Sequence, residues 1–195
     1  QVHFLTAKFP QHDFYFKSSF DKANRTALDS YRGPGLRKGL RELARIKEKY
    51  DLKIVTDVHE VCQVNEIKNV VNCVQIPAFL CRQTDLIVAA SNSGLIVNIK
   101  KGQFMSGADM KYSFEKAKKS GAEDVWLTER GNSFGYNNLV VDFRNIVDMQ
   151  HITNDVIMDC THSVQRPSLG GITKGDREFV PLMAISALTW GVRSF

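Results

Sequence analysis

The chain has 195 residues, 43% of them hydrophobic and 24% charged. That is the composition of an ordinary globular protein with one domain over 1–195, and it excludes a disordered, collagenous or coiled-coil chain. The net charge of +5 is scattered, and the densest basic stretch, RKGLRELARIKEK at 37–49, has the spacing of an amphipathic helix, so a solvated face is expected and a nucleic-acid partner is not. The apolar-rich stretch from Phe179 to Val192 is shorter than the roughly 20 residues a spanning helix needs. No secretory pattern is visible at the N-terminus, and a cytoplasmic protein with no membrane partner is expected. Cys62, Cys73, Cys81 and Cys160 form no C-x-x-C pair and read as reduced, buried or half-buried thiols.

In chain order, short β-branched or aromatic runs alternate with longer segments of helical period. Strands are expected at Phe14–Lys17, Lys53–Thr56, Cys73–Ile76, Leu95–Ile99, Asp124–Leu127 and Asp155–Met158. Helices are expected at Gly35–Tyr50, Val61–Val71, Thr84–Ser91, Met110–Ser120, Leu139–Met149 and Glu178–Leu188. Such alternation predicts βα units and a parallel sheet.

Every predicted strand runs out into charged or amide residues: FYF into KSSFDKANR, KIV into TDVHE, CVQI into PAF, LIVNI into KKGQF, VWL into TERG, VIM into DCTHS. A (β/α)8 barrel collects side chains from all strand ends on one face, whereas a doubly wound sheet concentrates them at one switch point, and the pattern favours the barrel. The pooled groups are Lys17, Lys22, Arg25, Lys100, Lys101 and Arg130 against Asp57, Glu60, Glu129 and Asp159. Cations gathered in this way repel unless a multiply charged anion lies among them, so a phosphorylated or carboxylated small molecule is the expected ligand. Neither G-x-x-x-x-G-K-S/T nor G-x-G-x-x-G is present, and RGPG at 32–35 reads as a turn.

FKSSFDKANRT (16–26), RGPGL (32–36), TDVHE (56–60), QIPAFLCRQTDL (75–86), NIKKGQF (98–104), LTERGNSFGYNNLVVDFR (127–144) and THSVQ (161–165) closely resemble the 3-deoxy-D-manno-octulosonate 8-phosphate synthase family. The match runs over roughly 14–180, and the first dozen residues carry no such likeness. The resemblance implies a homotetrameric TIM-type (β/α)8 barrel, here incomplete, with the first strand and most of the last missing. It implies condensation of phosphoenolpyruvate with D-arabinose 5-phosphate and water, a step in lipopolysaccharide and plant pectin synthesis. A truncated relative without catalysis, binding anions or oligomerising, is the alternative expectation.

By the same resemblance Lys17, Lys22, Lys100 and Arg130 hold the phosphate and carboxylate of phosphoenolpyruvate. Asn24, Arg25 and Thr26 bind the pentose phosphate, Arg82 reaches a neighbouring subunit's site, and Asp57, Gln75 and the Pro77–Phe79 turn line the sugar channel. Lys22, Asn24, Lys100 and His162 form the catalytic set. His162 orients or activates the water, or binds a metal that does so, with Asp159 supporting it from the same side of the strand as Thr161. The expected cofactor is none or one divalent metal. LTERG, NNLVVDFR and THSVQ lean towards the metal-dependent branch, of whose ligands only His162 is on this chain. TKGDREF at 173–179 departs from the family pattern.

Plainer roles are expected elsewhere. His59 turns towards Asp57, Arg82 and Asp85 form a surface ion pair, Cys81 and Cys160 fill small buried spaces, and Phe134 and Tyr136 pack a loop.

Overall fold

In the computed structural model the described residues are 1–136, 138–167 and 174–195. Six strands form one all-parallel sheet: β1 (Tyr15–Lys17), β2 (Lys53–Asp57), β3 (Cys73–Ile76), β4 (Ile96–Lys100), β5 (Val125–Glu129) and, after the short strands β6 (Asn132–Ser133) and β7 (Leu139–Val140), β8 (Val156–Met158). Their spatial order is their chain order, β1-β2-β3-β4-β5-β8, the progression of a barrel rather than of a doubly wound sheet. Helices return the chain between strands: α2 (Leu36–Tyr50), α3 (Val61–Ile67), α4 (Thr84–Ser91), α5 (Met110–Lys119) and α6 (Arg144–Gln150). An N-terminal helix α1 (Val2–Lys8) precedes the sheet, and α7 (Val180–Thr189) follows it.

Alternation along the strands sorts their side chains into two layers. Ile54, Val74, Ile76, Val97, Ile99, Val125, Leu127, Val156 and Met158 join the apolar cluster shared with Leu40 and Leu43 of α2, Val64 and Ile67 of α3, Leu86 and Ile87 of α4, and Ile146 and Met149 of α6. The other set, including Tyr15, Lys17, Asp57, Gln75, Asn98, Lys100, Trp126 and Thr128, faces the concave side. There the Tyr15 and Trp126 rings meet edge to face with centroids 5.3 Å apart. Their strands are four places apart in the sheet, a separation of roughly 19 Å were the sheet flat. The sheet is therefore curled into part of a TIM-type barrel. After α7 the backbone comes back beside β8, where Ser194 bridges Ile157 in parallel and its carbonyl accepts from Met158 N at 3.0 Å.

The first turn of α2 shows why glycine is needed at position 39. A Cβ on Gly39 would lie 2.5 Å from Phe20 Cβ, so this helix seats against the loop after β1 only with hydrogen at that position. The basic face of α2 is solvated as expected, with Arg37, Lys38, Arg41 and Arg45 exposed.

Several expectations need correction. Residues 139 and 140 pair with Asn132–Ser133 as an antiparallel hairpin, and that pairing keeps them out of the helix, which starts only at Arg144; Asp142 Oδ1 accepts from Arg144 N at 3.0 Å in the turn between. α3 stops at Ile67 rather than Val71. Phe134 and Tyr136 do not pack the loop but stand exposed, and so does Cys62. Among the described residues Arg82 and Asp85 form no ion pair. The helix α1 has no counterpart among the expected elements, and a further hairpin, β9 (Gln165–Arg166) with β10 (Lys174–Gly175), follows the THSVQ segment. The departure at 173–179 falls partly outside the described residues.

Candidate active site

The C-terminal ends of the strands deliver polar side chains to one place because each strand is in parallel register with the next. Asp57 stands opposite Gln75, Gln75 opposite Asn98, and Lys100 opposite Thr128. Lys17, the last residue of β1, pairs with Asp57 at 3.1 Å. Ser19 accepts from both Lys17 Nζ and Lys22 Nζ at 2.8 Å, tying the loop after β1 to the strand end. Asp57 also meets His59 Nε2 at 3.3 Å. Burial pushes the Asp57 carboxyl up, but the contact with His59 and the Lys17 charge outweigh it and leave the group below the usual carboxylate range.

On the other side of the cleft Lys100, Asp159 and His162 form a compact cluster. Lys100 Nζ donates to Asp159 Oδ2 at 2.5 Å, and His162 Nδ1 lies 2.7 Å from the same oxygen. Asp159 Oδ1 accepts from His162 N at 2.9 Å and from the Thr161 hydroxyl at 2.9 Å. The strand has ended at Met158, so Asp159 works as a turn-capping residue rather than from a strand face shared with Thr161. Burial raises the Asp159 carboxyl, but the hydrogen bond with His162 and the Lys100 charge override it and hold it well below its ordinary value. Burial likewise lowers Lys100, with Asp159 opposing. Lys22 is lowered by burial and then by the charge of Lys17, while Asp57 opposes and Arg25 and Lys100 add repulsion.

Arg130 completes the cleft one residue beyond β5. It is 5% exposed, and its Nε and Nη1 are buried with no hydrogen-bond partner among the described residues. A buried guanidinium with idle donors is costly unless an anion takes them up. Three lysines and this arginine, interleaved with Asp57 and Asp159, make a socket for a small polyanion.

The expected residues divide clearly. Lys17, Lys22, Asp57, Lys100, Arg130, Asp159 and His162 converge, and Gln75 lies at the matching level of β3. Asn24, Arg25 and Thr26 sit exposed on the loop after β1, with Arg25 within electrostatic reach of Lys22. Pro77 opens a short turn in which Phe79 is exposed, and Arg82 is exposed with no hydrogen bond or ion pair to the cluster among the described residues. Three expected members leave the pool. Glu60 caps α3 in a capping box with Gln63, while Lys101, one residue past β4, and Glu129, the last residue of β5, lie behind the cleft and pair with each other at 3.5 Å. Ser19 and Asn98 were not foreseen, although Asn98 stands two residues before Lys100 and strand period alone puts the two on one face.

Among the described residues no group of three or more His, Cys, Asp or Glu side chains is placed to hold a metal ion. With Nδ1 turned to Asp159, His162 offers one imidazole nitrogen, which by itself does not make a site. No described helix is long and apolar enough to cross a membrane.

Residues 2–195 match the model of the DAHP synthetase I family, which takes in the N-terminal dozen residues that motif comparison left unmatched. The chain is 55% identical over 195 residues to the 2-dehydro-3-deoxyphosphooctonate aldolase of Wolinella succinogenes, covering 94% of this chain and 74% of that one. It is 54% identical to the protein of that name from Helicobacter hepaticus, covering 94% and 72%. With that of Desulfatibacillum aliphaticivorans the identity is 54% over 181 residues, covering 92% and 66%. It thus spans about two thirds to three quarters of these relatives' length. With a partial parallel barrel, a cationic socket at its strand ends and this degree of identity, the chain belongs to the DAHP synthetase I family.

Proposed function

We propose that the chain carries the activity named for its relatives, 2-dehydro-3-deoxyphosphooctonate aldolase, as a synthase joining phosphoenolpyruvate to D-arabinose 5-phosphate. The observation that carries this reading is the buried guanidinium of Arg130 beside Lys100, whose Nε and Nη1 have no hydrogen-bond partner among the described residues, an anion socket at the strand ends. Arg130, Lys17, Lys22 and Lys100 take the phosphate and carboxylate of phosphoenolpyruvate. Asn24, Arg25 and Thr26 receive the pentose phosphate, and Asp57, Gln75 and the Pro77–Phe79 turn line its path. Arg82, exposed and apart from the cluster, serves the site of another subunit in a homotetramer.

In this reaction the enol carbon attacks the pentose aldehyde carbon, water adds at the neighbouring carbon, and phosphate leaves with cleavage of its carbon–oxygen bond. The fixed cations hold both reactants in line and balance the anions around the developing charge. Asp159 accepts from Nδ1 of His162, so in the neutral imidazole the Nε2 lone pair is the one that can take a proton from the entering water. The working place of the enzyme is the cytoplasm.

The test is phosphate release by the purified protein given both substrates, with added divalent metal and with chelator. Turnover that requires both substrates is expected. Phosphate release indifferent to the pentose phosphate would overturn the reading, and loss of turnover in chelator would show that a metal joins His162.

A further inference from the structure

Arg130 has no side-chain partner of its own among the described residues, so something else must hold it in the socket. Its backbone supplies the answer. Glu129 Oε1 accepts from the main-chain amide of Arg130 at 3.0 Å and from that of Gly131 at 2.6 Å. The carboxylate thus grips the peptide on either side of the arginine Cα. Gly131 has φ +89°, a left-handed turn that a side chain would strain. The chain therefore bends sharply as it leaves β5, and the bend throws Arg130 towards the cleft.

The grip is itself anchored. Lys101 lies 3.5 Å from Glu129 Oε1, and both side chains are fully buried. Lys101 Nζ also donates to Asn132 Oδ1 at 2.7 Å, to Met105 O at 3.2 Å and to Gly131 O at 3.5 Å. One ammonium thereby joins the loop after β4 to the turn after β5. Lys100 and Lys101 are consecutive, so strand alternation sends the first into the cleft and the second behind it. A pair buried this deeply is poor value as a stabilising device, because desolvating two charges offsets most of their attraction. Its geometry serves the turn instead.

We propose that Glu129 and Lys101 are positioning residues that set the Arg130 guanidinium in the anion socket and so fix the affinity for phosphoenolpyruvate. This rests on the reading above that Arg130 binds that substrate. Neither residue touches the substrate, and both act through the backbone of residues 129–131.

The test is calorimetric titration of phosphoenolpyruvate into the wild-type protein, the double variant Lys101→Met/Glu129→Leu, Arg130→Ala, and all three changes together. Removing both charges at once leaves no buried ion unpaired. The double variant is expected to bind phosphoenolpyruvate about tenfold or more weakly, and Arg130→Ala at least as weakly, while the triple variant is no weaker than Arg130→Ala. Unchanged binding in the double variant, or losses that add in full on the Arg130→Ala background, would overturn the proposal while leaving Arg130 a substrate ligand. Wild-type binding by Arg130→Ala would overturn the substrate reading as well. Should the leucine variant lack a cooperative melt, Asn132→Ala removes the shortest contact of Lys101. Its expected loss is about threefold, again vanishing without Arg130, and the absence of that loss, or its persistence without Arg130, overturns the proposal.

Discussion

Tyr15 on the first strand and Trp126 on the fifth stack edge to face across the concave side of the sheet, 5.3 Å between ring centroids. The contact exists only because the sheet is curled, so its energy reports on the curl. An aromatic pair of this geometry contributes about 0.5–1.5 kcal/mol beyond area burial. A double-mutant cycle with Tyr15→Leu and Trp126→Leu, followed by urea unfolding, is expected to give a coupling energy in that range. Coupling indistinguishable from zero would mean that the curl between β1 and β5 is held by other contacts.

Asp159 ties stability to pH. Its folded-state carboxyl lies below its ordinary value, since contact with His162 and Lys100 overrides the effect of burial. The sign follows from linkage: stability is fully present above the unfolded value of about 3.9 and is lost as pH falls through the lowered folded value. Asp159→Asn removes that acid-side dependence and leaves Lys100 buried beside a neutral amide. Breaking a buried pair in this manner costs about 3–5 kcal/mol. Urea midpoints at pH 7 should therefore fall in the variant, and the gap between variant and wild type should narrow as the pH is taken below 4.

The sheet was legible because each strand carries its own signal. Lys53–Asp57, Cys73–Ile76 and Ile96–Lys100 are short apolar runs with a polar exit, and parallel strands buried on both faces announce themselves in that form. The hairpin at 132–140 was not, because LVV reads equally well as the first turn of a helix and only contact with Asn132 and Ser133 decides it. Convergence of Lys17, Lys100, Arg130 and His162 followed from strand ends and motifs together. The direction of Lys101 and Glu129 did not, although alternation along NIKKGQF and LTERG would have separated Lys100 from Lys101 and Glu129 from Arg130. Pooling by sequence proximity ignores which face a side chain takes.

Lys100 makes the alkaline limb informative. Burial lowers its folded-state value below the ordinary 10.5, with Asp159 opposing. Between the two values the unfolded chain binds more protons, so stability rises with pH through that window. Phosphoenolpyruvate affinity moves the other way, because each lysine that loses its proton removes a charge from the socket. The expected outcome is a dissociation constant that climbs at a pH below the ordinary lysine range while the urea midpoint holds or rises. Lys100→Arg keeps its charge throughout, so its affinity profile should be flatter over the same range. A wild-type profile as flat as that of Lys100→Arg would show that Lys100 is not the titrating group.

The four cysteines should differ sharply in reactivity. Cys62 is exposed on α3, whereas Cys73, Cys81 and Cys160 are buried. The thiolate is the reacting species, and burial pushes Cys73 up to about 12 and Cys160 up to about 11. Cys81 is raised by burial as well, and its Sγ lies against Met105 at 3.3 Å. A colorimetric thiol reagent at pH 8 should therefore titrate one cysteine quickly in the folded protein and all four in denaturant. Cys62→Ser should abolish the fast phase without moving the melting temperature, since that side chain is solvated. Cys81→Ser places a hydroxyl in an apolar contact and should lower stability by about 1–3 kcal/mol. A second fast thiol in the wild-type protein, with Cys62→Ser removing only one of the two, would mean that the loops after β3 or β8 open on the timescale of the reagent.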